Sequence, residues 1–171
     1  MKKILIIVGT RPNFIKVTQF KKIALQFNDL DIKIAHTGQH HKHNMADVFF
    51  EQFELILDHF MNISAGTPNT QMAEVMQGVE KIALEYNPDL IIVVGDVNST
   101  FAAALTANKM GIKLAHLESG LRSGDKTMPE EVNRILTDQV ADYFFVTEQS
   151  GVNNLKEEGL DHSIHLSHRG R

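Results

Sequence analysis

No cysteine occurs among the 171 residues, which excludes disulfides, thiolate-bound metals and a cysteine nucleophile and is compatible with a reducing compartment. Positive charge is not in excess either. Seventeen lysines and arginines against 21 aspartates and glutamates leave a net charge of -4, so bulk attraction to nucleic acid or to an anionic membrane is not expected, and any anion site must be local. Long apolar runs are missing: the first, Ile4 to Val8, stops at Gly9. Despite the lysines before it, that run is too short for a signal-peptide core or a membrane span, so a cytoplasmic location is expected. Neither GxGxxG nor the P-loop pattern GxxxxGKS/T occurs, so neither a dinucleotide nor a nucleotide-triphosphate fingerprint is present and no cofactor is implied. Internal repeats and low-complexity linkers are absent as well.

What is present is ordinary globular material, 43% hydrophobic and 22% charged, in a length that suits one domain able to bury roughly 70% of its unfolded surface. Strand and helix patterns alternate along it. "KILIIV" (3–8) and "DLIIVVGD" (89–96) read as fully buried parallel strands, "DIKIAHT" (31–37) alternates as a strand does, and "IKLAHLES" (112–119) and "YFFVT" (143–147) add two more. Helical spacing joins Val17, Phe20, Ile23, Ala24 and Phe27 in one stripe, and Met72, Val75, Met76, Val79, Ile82, Ala83 and Tyr86 in another. Further helices are expected over 45–53, 99–111, 129–141 and 148–159. Five or six strands separated by helices imply right-handed βαβ units and a doubly wound, Rossmann-like α/β sheet with helices on both faces. In that architecture ligands lie beyond the carboxyl ends of the strands.

The first strand delivers "GTRPNFIK", with Thr10 or Arg11 as N-cap and Pro12 opening a helix. Free N–H groups at that helix start, joined by Arg11 and Lys16, make a site for a phosphate or another anion, unless both cations are simply solvated. The next buried strand delivers Asp96, either a cap for the following helix or a functional carboxylate. Glu118 leaves a third strand, where burial is costly without a partner. Glu130 and Glu131 follow Pro129 in a helix's first turn, a position acidic residues favour for dipole reasons alone. Two cations and these carboxylates, from successive loops on one sheet edge, form the pattern of an anion clamp with acid/base groups. His36, His40, His41 and His43 lack the spacing of a metal site and are expected in and beside a solvated loop.

"GTRPNFIK", "TGQHHKHNM", "VVGDVNST", "HLESGLRSGD" and "MPEEVNRILTD" resemble, in order and spacing, the non-hydrolysing UDP-N-acetylglucosamine 2-epimerases. The resemblance runs from the first strand to about Gly159 and implies the first of two Rossmann-like domains that face each other in a glycosyltransferase-B arrangement, typically in a homodimer. It implies interconversion of UDP-N-acetylglucosamine and UDP-N-acetylmannosamine by elimination and re-addition of UDP. By the same resemblance Asp96, Glu118 and Glu130 match catalytic carboxylates, Arg11 and Lys16 match substrate contacts, and Gln39 and His40 fit a regulatory segment. Asn13 stands where many members have glutamate, "VTQF" lacks a common proline, and no arginine in 59–72 matches a further regulatory contact.

The resemblance places all of 1–171 in one domain, with an atypical tail from about 160 that ends in "SHRGR" where the family continues into a nucleotide-binding second domain. Two readings follow: an epimerase half that is inactive alone, or a catalytically silent domain that only folds and dimerises. An unrelated doubly wound binding module is the third.

Overall fold

The computed structural model describes residues 1–38 and 57–166, the side chain of Arg11 excepted. The expected helix over 45–53 and the residues Gln39, His40, His41 and His43 lie outside the described residues.

Along the chain run β1 (Lys2–Val8), α1 (Arg11–Val17), α2 (Phe20–Ala24), β2 (Leu30–His36), β3 (His59–Phe60), α3 (Pro68–Tyr86), β4 (Leu90–Val94), α4 (Asn98–Lys109), β5 (Lys113–Leu117), α5 (Pro129–Val140), β6 (Tyr143–Val146), α6 (Gln149–Glu157) and β7 (Ile164–Leu166). The strands form one sheet in the order β3-β2-β1-β4-β5-β6-β7, and every pairing is parallel. The chain winds outward from β1 in both directions, so the order reverses between β1 and β4, the crevice where doubly wound sheets bind ligands.

The pleat divides the core into two. On one face Leu5, Ile7, Ile91 and Val93 pack with Val75, Val79 and Ile82 of α3, the alanines of α4 and Leu155 of α6. On the other, Ile6, Val8, Ile34, Ile92 and Val94 pack with Phe14 and Val17 of α1. The methionine-bearing stripe of α3 is core, as its spacing predicts: Val75 and Val79 are fully buried, with Met72 and Met76 packed against the cluster. Thr67 caps that helix by accepting a hydrogen bond from the Thr70 N–H, and Asn87 ends it at φ 53°.

Three expectations are corrected. The first helix breaks in two: the Thr18 hydroxyl donates to the Ile15 carbonyl at 3.1 Å, a local bond that competes with helix continuation. Ile23 and Phe27 are consequently about half exposed, at 49% and 52%, while Val17 and Ala24 stay buried. Second, the described residues form seven strands where five or six were expected; β7 adds an outer strand paired through Phe144↔Ile164 and Val146↔Leu166. Third, His36 is not solvated; it is fully buried at the end of the expected strand, β2, its ring tilted between Phe14 and Phe60 at centroid distances of 4.8 and 5.2 Å.

Candidate active site

The structure sets the ends of β1, β4 and β5 side by side. Gly9 follows β1 where a side chain has no room, since a Cβ there would fall 2.0 Å from Ser99 Oγ in the first turn of α4. That close approach lets α1 start directly over the crevice. Thr10 is the N-cap, in extended backbone and without a side-chain capping bond, and Arg11 and Pro12 open the helix. Asn13 is buried, and its amide donates to the Val94 carbonyl at 3.1 Å, tying α1 to the end of β4. One turn on, Lys16 forms an ion pair with Glu118.

Asp96 and Glu118 stand on adjacent strand ends. The Glu118 Oε2 lies 3.8 Å from where a Cβ on Gly95 would sit, so this carboxylate hangs over the residue that precedes Asp96. Glu118 has φ 74°, a left-handed conformation that non-glycine residues adopt only where surrounding contacts enforce it. Asp96 is not a helix cap, because Val97 takes that position; its carboxylate pairs with Arg134 of α5, and its carbonyl accepts from Asn133 at 3.0 Å. Asp96 and Glu118 keep 28% and 24% of their side-chain surface open to solvent, so both are held yet reachable.

Glu130 and Glu131 part company. Glu130, four residues before Arg134 on α5, is exposed and has no hydrogen-bond or ion-pair partner among the described residues. Glu131 is buried and accepts from the Ser123 and Gly124 N–H groups at 2.9 and 3.0 Å. Burial alone would raise its carboxyl, but those two donors and the nearby Arg122 outweigh it and hold it below its ordinary value.

Beneath the carboxylates lies a network that residue spacing does not announce. His116 of β5 faces Asp138 of α5 through Nδ1 at 2.6 Å and the Gly95 carbonyl through Nε2 at 2.8 Å. Both side chains are fully buried. Asp138 also accepts from the Gly120 N–H at 3.0 Å and pairs with Arg122 at 2.8 Å, while Arg122 forks onto Glu158 with two bonds of 2.7 Å. Burial works against the Asp138 charge, but His116, Arg122 and the Gly120 donor prevail and keep it below the usual carboxylate range. The available signal was a histidine inside an apolar parallel strand and an aspartate inside a helix, both of which need partners if buried.

Among the described residues no group of three or more histidines, aspartates or glutamates could hold a metal ion, and no helix is long and apolar enough to cross a membrane. The arrangement therefore sets the Lys16 cation and the Asp96 and Glu118 carboxylates at one rim, over a hydrogen-bonded polar layer.

Comparison with known proteins gives this rim a family. The family model for UDP-N-acetylglucosamine 2-epimerase matches residues 23–166. The UDP-N-acetylglucosamine 2-epimerase of Methanocaldococcus jannaschii is 42% identical over 160 residues, which are 93% of this chain and 43% of that protein. A UDP-2,3-diacetamido-2,3-dideoxy-D-glucuronate 2-epimerase of Pseudomonas aeruginosa is also 42% identical over 160 residues, covering 93% of this chain and 45% of its own length. The crystal structure of the M. jannaschii epimerase in complex with UDP-GlcNAc and UDP superposes with a TM-score of 0.88 at 41% identity, over 96% of this chain and 46% of that one. The chain spans about half the length of the curated relatives it matches. Its fold, its ordered motifs and these matches agree that the chain belongs to the UDP-N-acetylglucosamine 2-epimerase family.

Proposed function

We propose that this chain is the sugar-handling half of an enzyme that inverts C2 of a UDP-2-acetamido sugar, with UDP-N-acetylglucosamine as the substrate. The observation that carries this reading is the pair of reachable carboxylates, Asp96 and Glu118, on adjacent strand ends beside the crevice, each already matched to a cation. In the proposed reaction a carboxylate removes the proton at C2 as the C1–O bond to UDP breaks. The C2–H electron pair becomes the C1=C2 bond, and UDP leaves with the electrons of the C1–O bond. Return of a proton to the opposite face of C2, with UDP adding back to C1, gives the epimer.

No carbonyl acidifies that proton, so its removal must be coupled to UDP departure, and the departing phosphate needs cations. Lys16, in the last turn of α1, would fill that role, and family resemblance assigns Arg11 to it as well. Lys16 rests on Glu118 and would exchange this partner for the diphosphate, which releases the carboxylate for proton transfer. Asp96, fixed by Arg134 and Asn133, and the unpartnered Glu130 would hold sugar hydroxyls and tune the base.

The P. aeruginosa relative, equally similar, supports a second reading in which the sugar carries a further acetamido group and a carboxylate. The relatives' activities belong to proteins about twice as long, so the 171 residues by themselves are expected to turn over neither substrate. Family resemblance adds the expectations of a cytoplasmic homodimer, checked by its mass in solution, and of a place in cell-surface polysaccharide synthesis.

The test joins this chain to the second half of the M. jannaschii enzyme and incubates the fusion with each UDP-sugar in deuterated water. Deuterium at C2 together with free UDP is the expected result for UDP-N-acetylglucosamine. A folded fusion that exchanges deuterium into neither sugar would overturn the reading.

A further inference from the structure

Gly95 and Glu118 both adopt left-handed backbone, φ 73° and 74°, at the ends of neighbouring strands. Each turn decides where a rim carboxylate points, because Gly95 leads into Asp96 and Glu118 is itself the carboxylate. One buried pair is bonded to both turns. His116 Nε2 meets the Gly95 carbonyl, and Asp138, bonded to His116 Nδ1, takes the Gly120 N–H that closes the turn after Glu118. A carbonyl oxygen only accepts, so Nε2 carries a proton and donates it. On its other side Gly95 donates to the Leu117 carbonyl at 3.1 Å, which leaves the residue before Asp96 fixed at both of its backbone polar groups.

A role as core filling does not account for this pair. An apolar side chain of similar volume would fill the space without the desolvation that two buried ionisable groups incur. What an apolar side chain lacks is a donor aimed at a strand-end carbonyl and an acceptor aimed at the next strand's turn.

We propose that His116 and Asp138 are positioning residues, a buried brace that holds the turns bearing Asp96 and Glu118 in fixed relation; that these carboxylates then act on a sugar rests on the epimerase reading above. The brace is anchored at its outer end by Arg122 and, through it, Glu158.

Two substitutions separate the two bonds of His116. Glutamine places its amide nitrogen where Nε2 stands, so His116→Gln keeps a donor for Gly95; asparagine mimics Nδ1, so His116→Asn keeps the Asp138 contact and loses the Gly95 bond. In the 15N-labelled 171-residue chain, amide hydrogen exchange is read at Gly95 and referred to Ile92 in the middle of β4, which reports opening of the sheet itself. In His116→Asn the exchange ratio of Gly95 to Ile92 should rise by at least about tenfold, and in His116→Gln by no more than about threefold. Equal ratios in the two variants, or no change in either, would overturn the proposal, because the Nε2 bond would then not be what holds Gly95.

A measurement on the unmodified chain keeps the proposal testable should the variants fail to fold. The His116 Nε2–H must appear as a slowly exchanging ring proton with a coupling across the hydrogen bond to the Gly95 carbonyl carbon, and its absence overturns the brace. No sugar is present in either experiment. Their outcome is therefore independent of C2 exchange, which alone decides the epimerase reading.

Discussion

Glu130 and Glu131 are consecutive in the first turn of one helix, yet they belong to different regions. Glu131 enters the layer under the sheet edge, where it takes the Ser123 and Gly124 N–H groups and where Asp138 joins His116 to Arg122. Glu130 stays exposed at the helix start and, like Asp96, Glu118 and Lys16, has one side-chain partner or none among the described residues. The contrast separates two uses of charge. A carboxylate enclosed by donors is a fastener, because both of its oxygens are committed. A carboxylate with an open side and a cation it can exchange retains the capacity to move a proton.

The sharpest break of that contrast is Asp138→Ala. Removing one member of a buried ionic network leaves the others uncompensated, typically a loss of about 3–5 kcal/mol, or about 10 °C in thermal midpoint for a domain of this size. The effect should depend on pH in a definite sense. Asp138 has a depressed carboxyl in the folded state, so its stabilisation is fully present above the unfolded value of about 3.9 and fades as pH falls through the lower folded value. Thermal melts of wild type and Asp138→Asn at pH 6 and pH 3 should show a gap that narrows at the acidic end. A constant gap would place Asp138 outside the role given to it here.

The neighbouring glutamates sharpen the comparison with a smaller effect. Glu131→Gln weakens the bonds that clamp Ser123 and Gly124 and should cost about 1–3 kcal/mol. Glu130→Gln should leave the midpoint within about 1 °C, as surface changes away from special features do. Equal midpoints for the two variants would erase the division between layer and rim.

The rim was more legible than the layer, for physical reasons. Apolar runs such as "LIIVV" mark their own ends, so whatever follows a buried parallel strand falls on the ligand edge, and Asp96 and Glu118 could be placed by that rule alone. Strand and helix alternation likewise carried the doubly wound fold. Helix dipole preference, by contrast, treats Glu130 and Glu131 alike, so their opposite burial depends on the 120–125 loop, whose course no local pattern encodes. His116 and Asp138 are 22 positions apart and meet only after α5 docks. Arg134, four residues past Glu130, was missed as the partner of Asp96 for the same reason. The split of the first helix at Thr18 and the outer strand β7 escaped because both are short elements decided by a single local bond or by tertiary pairing.

If the rim carries the proposed chemistry while the layer beneath holds it in place, Glu118→Gln separates the two. In the fusion with the M. jannaschii second half, stability and C2 deuterium exchange from deuterated water are measured on the same variant. The thermal midpoint should stay within about 2 °C of the parent and the exchange rate should fall by at least about tenfold, since a positioned acid/base group contributes about 10²-fold or more. Undiminished exchange at unchanged stability would contradict the claim.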